Sequence, residues 1–401
     1  MYLIRSISFK IFISLLVVWP ANAFAEIEMS GNLASEFRYF YKSPARKYQE
    51  SENLSIAAEP ELYYRLPDSR DSFTFTPFFR LDENDSERSH LDIRELYYHK
   101  VMPQWELKIG INTVFWGVTE TVHLVNIINQ IDMVENPDGE DLLGQPMVNL
   151  SIIENWGTLN LFVLPGFRER TFPGRDGRPG TKILINNDKA IYESGAKENH
   201  VDFALRWAHS FDIWDIGVSH FSGTSREPRF DPSVFSVNSH GEAELIPIYE
   251  IIDQTGIDMQ STFEAWLLKL EAIVRSGQGE RFFAFATGFE YTFFDVAASG
   301  VDFGVISEYL YNERKTEAMD NDLALGMRIS FNDIQSTEIL AALVHDLENR
   351  SQYFYLEAQR RIGNSFKLSI EMRGVSNVRN NDPLSSIEAD EFVQVELGYY
   401  F

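Results

Sequence analysis

Val393, Val395, Leu397, Tyr399 and Phe401 place an apolar side chain on every second residue, with Gln394, Glu396, Gly398 and Tyr400 between them. A period of two is the mark of a strand with one apolar and one polar face. The same alternation recurs upstream. Trp105, Leu107, Ile109 and Ile111 oppose Gln104, Glu106, Lys108, Gly110 and Asn112. Phe283, Phe285, Phe289, Tyr291 and Phe293 oppose Ala284, Ala286, Gly288, Glu290 and Thr292. Leu323, Leu325, Met327, Ile329 and Phe331 oppose Asp322, Ala324, Gly326, Arg328 and Ser330. A soluble sandwich fills its interior with bulk. Here the bulky face suits the outside of a barrel in lipid, with small and charged residues turned inward.

The chain divides into eighteen segments of strand length, with sixteen as the alternative count: 27–41, 53–66, 71–82, 89–101, 104–116, 145–154, 157–166, 199–209, 211–222, 246–259, 264–275, 281–294, 299–311, 321–331, 336–347, 351–362, 365–376 and 391–401. Links after even-numbered strands are short, such as Met102-Pro103, Asn155-Trp156 and Gly363-Asn364; several of the others are long and polar, notably 117–144, 167–198, 223–245 and 377–390. Tight turns at one end and long loops at the other characterise an antiparallel transmembrane β-barrel. Aromatics at strand ends, including Tyr39–Tyr41, Tyr97, Tyr98 and Tyr399–Phe401, suit the two interfaces. The even count puts both ends of the chain on one side.

Arg5 and Lys10 precede an apolar run from Ile11 to Trp19, followed by Pro20 and the small-residue stretch Ala21–Ala25. This predicts a cleaved secretory signal over residues 1–25 and a single barrel over 26–401. The run is too short to span a bilayer as a helix. With 60 acidic against 35 basic residues the chain carries a formal charge of −25, which argues against nucleic acid as a partner. Loss of the leader removes Arg5 and Lys10 and no acid. There is no cysteine, so neither disulfides nor thiolate metal sites can form.

Segment 117–144 departs from period two. Val118, Val122, Val125, Ile128 and Ile131 recur at three and four, predicting a short amphipathic helix with Thr119, His123, Asn126 and Gln130 on its polar face. Behind it runs an acidic stretch, Asp132, Glu135, Asp138, Glu140 and Asp141, the candidate constriction. Asn136-Pro137-Asp138-Gly139 has part of an EF-hand pattern, but Val134 stands in the first ligand position, so no metal and no cofactor is expected. Arg38, Arg65, Arg80 and Arg94 come from four neighbouring strands. With Lys108 they form a candidate basic lumen wall, either facing the acidic loop or pairing locally with Glu36, Glu61, Asp82 and Asp92. Tyr63, Phe78, Tyr98, Trp116, Tyr353 and Tyr355 face the lumen in this register and offer stacking surfaces for sugar rings. Loop 167–182 holds Arg168, Arg170, Arg175, Arg178 and Lys182, candidates for lipopolysaccharide phosphates. The eight histidines are scattered, and no nucleophile elbow or zinc-protease motif is present, so no enzyme is expected.

The alternating end Val393–Phe401 resembles the assembly signal of Gram-negative outer-membrane barrels, read by the barrel-assembly machinery. The stretch from Phe115-Trp116-Gly117-Val118-Thr119-Glu120 through Gln145-Pro146 is similar to uncharacterised porin-like families, and its position resembles the infolded third loop of general porins. The resemblance implies a passive channel for small hydrophilic solutes in the outer membrane, in contact with its lipid and lipopolysaccharide. An acidic constriction would favour cations. The alternatives are a channel specific for a sugar or small organic ion, or a non-conducting barrel acting as adhesin, assembly factor or lipid-active enzyme. General porins are trimers; the link Glu83–Arg88 is short for a subunit latch, leaving trimer and monomer both open.

Overall fold

The computed structural model describes residues 27–315, 317–379 and 382–401; the expected leader lies outside them. Eighteen antiparallel strands form one closed sheet: Ile27–Phe40, Glu52–Arg65, Ser72–Asp82, Leu91–Val101, Trp105–Asn112, Gln145–Glu154, Gly157–Pro165, Val201–Phe211, Trp214–Thr224, Ile251–Phe263, Trp266–Gly277, Gly279–Phe293, Asp302–Asn312, Asn321–Ser330, Glu338–Asp346, Gln352–Ile362, Phe366–Ser376 and Phe392–Tyr400. Each strand pairs with the next. The last returns to the first, Asn32 opposite Tyr400 and Phe40 opposite Phe392. Closure gives every strand two hydrogen-bonded neighbours, which a sheet in hydrocarbon requires. The chain is therefore an all-β transmembrane barrel of porin-like form, and the strand count is eighteen.

The alternation sorts side chains as the sequence implies. Phe283, Leu325 and Met327 are exposed on the outer wall, while Ala284, Ala286 and Ala324 are buried inside. These alanines leave room for the infolded segment, since they share apolar clusters with Val122, Leu124, Val125, Ile127 and Ile128. Aromatics gather at the short-turn ends: Trp266 lies 4.6 Å from Tyr291, and Phe366 lies 5.2 Å from Tyr399. Phe401 exchanges backbone hydrogen bonds with Gly31 at 3.2 Å in both directions and stacks on Tyr399 at 6.1 Å. Replacing Phe401 by Asp removes that stack and puts a charge where the sheet closes. The barrel recovered in the membrane fraction should fall severalfold while the exported amount is unchanged; an equal yield of assembled barrel would contradict this.

Two strands shift by four residues or more at an end. The strand expected from 246 begins at Ile251 and runs to Phe263, turning at Glu264-Ala265, where Glu264 adopts a positive φ of 51°. The preceding residues have a nearer partner: Ala243–Tyr249 pairs with Arg229–Val237 in a separate sheet outside the barrel. Leu184–Ile185 and Ile191–Tyr192 join that sheet in parallel. The strand expected to end at 116 stops at Asn112, where the chain turns into the lumen.

Candidate functional site

The infolded segment between Asn112 and Gln145 contains no helix, contrary to its three-and-four spacing. The reason lies in the wall it meets. The Glu271 carboxylate accepts from the backbone N–H of Val118 (2.6 Å), Thr119 (3.0 Å) and Val125 (3.1 Å), and from the Thr119 hydroxyl (2.8 Å). Glu308 accepts from the N–H of Glu120 (2.7 Å) and Thr121 (2.9 Å). Asn126 Oδ1 takes the N–H of Trp116 and Gly117, and Asn129 Oδ1 that of Val114. The Val125 N–H, which a helix begun near Val118 would pair internally, is thus taken by Glu271, while the other donors lie before the expected helix or in its first turn, where the carboxylates fix the chain's path along the wall. The apolar residues still bury: Val125, Ile127 and Ile128 pack with Trp116, Phe162, Leu164, Phe221 and Ile273.

The intended polar face is consequently not a face. Thr119 and Gln130 are buried and Asn126 is tied to backbone. His123 packs edge-on to Phe115 at 4.7 Å and borders two lumen cavities.

The acidic stretch divides into two groups. Asp132 and Glu135 are buried against the basic wall: Asp132 meets Arg94 at 2.7 Å and Glu135 meets Arg80 at 2.6 Å. Arg38 donates to the Glu135 carbonyl at 2.7 Å, and Arg88 to the Val134 carbonyl at 2.8 Å. Behind this contact Glu36 serves three guanidiniums, Arg38 (3.0 Å), Arg80 (3.2 Å) and Arg88 (2.8 Å). Asp138 pairs with Arg373 at 2.9 Å across the lumen. Glu140 and Asp141 project into the lumen and have no ion-pair partner among the described residues.

Arg38, Arg80 and Arg94 therefore grip the loop instead of facing it across open water, because the strands bring Glu36 and Asp92 within ion-pair range of them. Arg65 is apart from them, exposed beside the 66–70 turn, and Lys108 lies 4.8 Å over the Tyr97 ring. Arg88, in a link between strands, carries no periodic signal and was legible only as a charge. The arginines of loop 167–182 are largely engaged within the chain: Arg168 with Asp92, Arg175 with Glu242, and buried Arg178 with Asp390.

His90, Asp132 and Glu135 bring three potential metal donors within 4.8 Å. Both carboxylates are already bonded to Arg94 and Arg80, so a cation would have to displace guanidiniums. The arrangement serves as an ion-pair anchor.

The loop leaves two adjoining spaces. Toward the short turns a cavity of about 690 Å³ is rich in carboxylates, including Glu36, Glu120, Glu135, Asp138, Glu140, Asp141, Glu338, Glu357, Glu371 and Glu396 against Arg38, Arg80, Arg328 and Lys367. Toward the long links a cavity of about 250 Å³ is walled by Met133, Pro137, Met319, Tyr353, Tyr355, Leu384 and Ile387. The two share four lining residues, Glu120, Asp138, Glu140 and Glu357. Glu120 carries Lys269 at 3.1 Å and Arg328 at 2.9 Å, and Glu357 lies 3.5 Å from Arg373. Glu357 stands at an alternate position with Tyr353 and Tyr355, so period two placed it in the lumen, but nothing in the sequence placed it opposite Glu140. Of the aromatics expected in the lumen, Trp116 is absorbed into the apolar cluster, and Tyr98 faces outward, because a register shift between Thr76 and Pro77 turns it against Phe73 at 5.1 Å; Phe78, Tyr353 and Tyr355 border the two cavities.

No protein-family model matches this sequence, and no curated protein matches it. Among solved structures, the chain is similar to a mutant porin of Rh. blastica at 9% identity, covering 94% of this chain and 100% of that one with a TM-score of 0.46. It is also similar to OmpT, an outer membrane protein of Vibrio cholerae solved in a trimer form, at 10% identity, covering 94% and 99% with a TM-score of 0.49. Identity this low transfers no residue role.

Proposed function

We propose that this chain is an outer-membrane diffusion channel for small hydrophilic solutes, leaning toward cations. The observation that carries the reading is the meeting of the two lumen cavities at Glu120, Asp138, Glu140 and Glu357. Eighteen strands leave an interior wide enough for water even with one loop inside. Carboxylates where the two cavities meet raise the local cation concentration and oppose anions. Planar-bilayer recording in a KCl gradient tests this directly. A reversal potential of the sign set by K⁺ is expected, and absence of channel events or a preference for Cl⁻ would overturn it. Glu140→Gln with Glu357→Gln should bring the reversal potential toward zero; an unchanged value would place the filter elsewhere.

The preference should also depend on pH. Desolvation inside the lumen, reinforced by the charges of Asp138 and Glu135, pushes the Asp141 carboxyl up to about 8, and Glu140 is raised by desolvation and the charges of Asp138 and Glu120. A raised carboxyl takes up its proton as pH falls through its shifted value. Negative charge is then lost between pH ~9 and ~7, where an ordinary carboxylate is fully ionised. Cation preference should therefore weaken across that window, and Asp141→Asn should flatten the response. A wild-type reversal potential constant from pH 9 to pH 6 would refute it.

A second reading, a plugged barrel, draws on the loop being held at both walls, by Glu271 and Glu308 on one side and Arg80 and Arg94 on the other. Swelling of liposomes in sugars of increasing size separates the two, since a plugged barrel admits none.

A further inference from the structure

Farther out, a cavity of about 330 Å³ lies between the infolded loop and the long links. Four guanidiniums border it, Arg170, Arg226, Arg275 and Arg314, together with the carboxylates Glu227, Glu317 and Asp138, the last of which is paired with Arg373 at 2.9 Å. Arg275 and Arg314 share Glu227, each at 2.8 Å, and Arg314 also reaches Glu317 at 3.4 Å. Arg226 pairs with Asp202 at 2.6 Å and is nearly fully buried, yet its Nη2 has no hydrogen-bond partner among the described residues. Arg170 has no carboxylate within ion-pair distance among the described residues. It donates to Gln130 Oε1 at 3.2 Å and to the Arg226 carbonyl at 2.9 Å. Positive charge thus exceeds negative in a confined space, where an uncompensated ion is costly. The facing surface is aliphatic, formed by Leu124, Ile127, Ile131 and Met319.

We propose that this cavity is a binding site for an organic monocarboxylate, with its carboxylate held by Arg170 and Arg314 and its apolar body on Ile127, Ile131 and Met319. Guanidinium forks match a carboxylate in geometry as well as charge. Burial and the nearby charge of Glu227 raise the Glu317 carboxyl to about 7, which lowers its competition with an incoming anion near neutral pH. The inference is independent of the cation-leaning channel reading, since the site is built from residues on the far side of the loop from the Glu140–Glu357 level.

The test is calorimetric titration of the whole barrel, folded in detergent, with benzoate, acetate, benzylammonium and inorganic phosphate. Benzoate should bind at least about tenfold more tightly than acetate, because its ring removes apolar surface from water. Arg170→Gln should weaken benzoate by at least about tenfold, and Glu317→Gln should strengthen it. Met319→Glu, in a link outside the barrel wall, should abolish binding and serves if Arg170→Gln does not fold. Equal binding of benzoate and benzylammonium, or an unchanged affinity in both the Arg170 and Met319 variants, would overturn the site. Phosphate binding as tightly as benzoate would overturn its apolar half. Benzoate binding without channel currents would leave this site standing and remove the channel reading; currents without benzoate binding would do the reverse.

Discussion

Glu271→Gln combined with Glu308→Gln should raise single-channel conductance severalfold and make the current noisier. The two carboxylates accept the backbone N–H of Val118, Thr119, Val125, Glu120 and Thr121, and these bonds hold that part of the loop against the far wall. A hydrogen bond to a charged acceptor is worth about 1.5–3 kcal/mol, and each donor left unpaired adds a desolvation cost. Glutamine keeps one acceptor oxygen but brings an amide that repels the N–H groups it faces. Val125, Ile127 and Ile128 remain docked in their apolar cluster, so loosening should be confined to residues 117–124. Single-channel recording beside circular dichroism of the same preparation decides the matter. Native strand content with unchanged conductance would show that this stretch does not limit the pore.

Glu36→Ala should be the most destabilising single change in the wall, by about 3–5 kcal/mol, the usual cost of removing one partner from a buried ion pair. Glu36 is almost completely buried and faces Arg38, Arg80 and Arg88. Without it Arg80 keeps Glu135 and Arg88 keeps Asp82, but neither acid neutralises the third guanidinium. Urea unfolding in lipid vesicles measures the loss. A change within about 1 kcal/mol, as for an exposed pair, would mean that lumen water screens the cluster.

The barrel was legible because lipid on one side and water on the other enforce period two, which is broken in Leu91–Val101 by the register shift that turns Tyr98 outward. Ala284, Ala286, Ala324 and Gly326 were readable as inward positions, yet their purpose, room for an infolded loop, was not. The loop itself misled for a physical reason. Val118, Val122, Val125 and Ile128 have helical spacing, but backbone conformation went to the acceptors available, and those sit on strands far along the chain. Sequence spacing cannot register a carboxylate that arrives from another wall. The acidic run was found as composition, whereas its division into buried Asp132 and Glu135 and lumen-facing Glu140 and Asp141 depends on where Arg80 and Arg94 stand. Strand Ile251–Phe263 was displaced because Ala243–Tyr249 reads as strand equally well and belongs to the outer sheet.

The two moorings of the loop come from opposite sides of it along the chain. Arg38, Arg80, Arg88 and Arg94 precede it in the chain, whereas Glu271 lies 153 residues beyond Val118 and Glu308 lies 188 beyond Glu120. The hold on the first part of the loop is therefore supplied by the last third of the polypeptide, and without the strands from Trp266 onward the loop would keep its grip at the acidic end only.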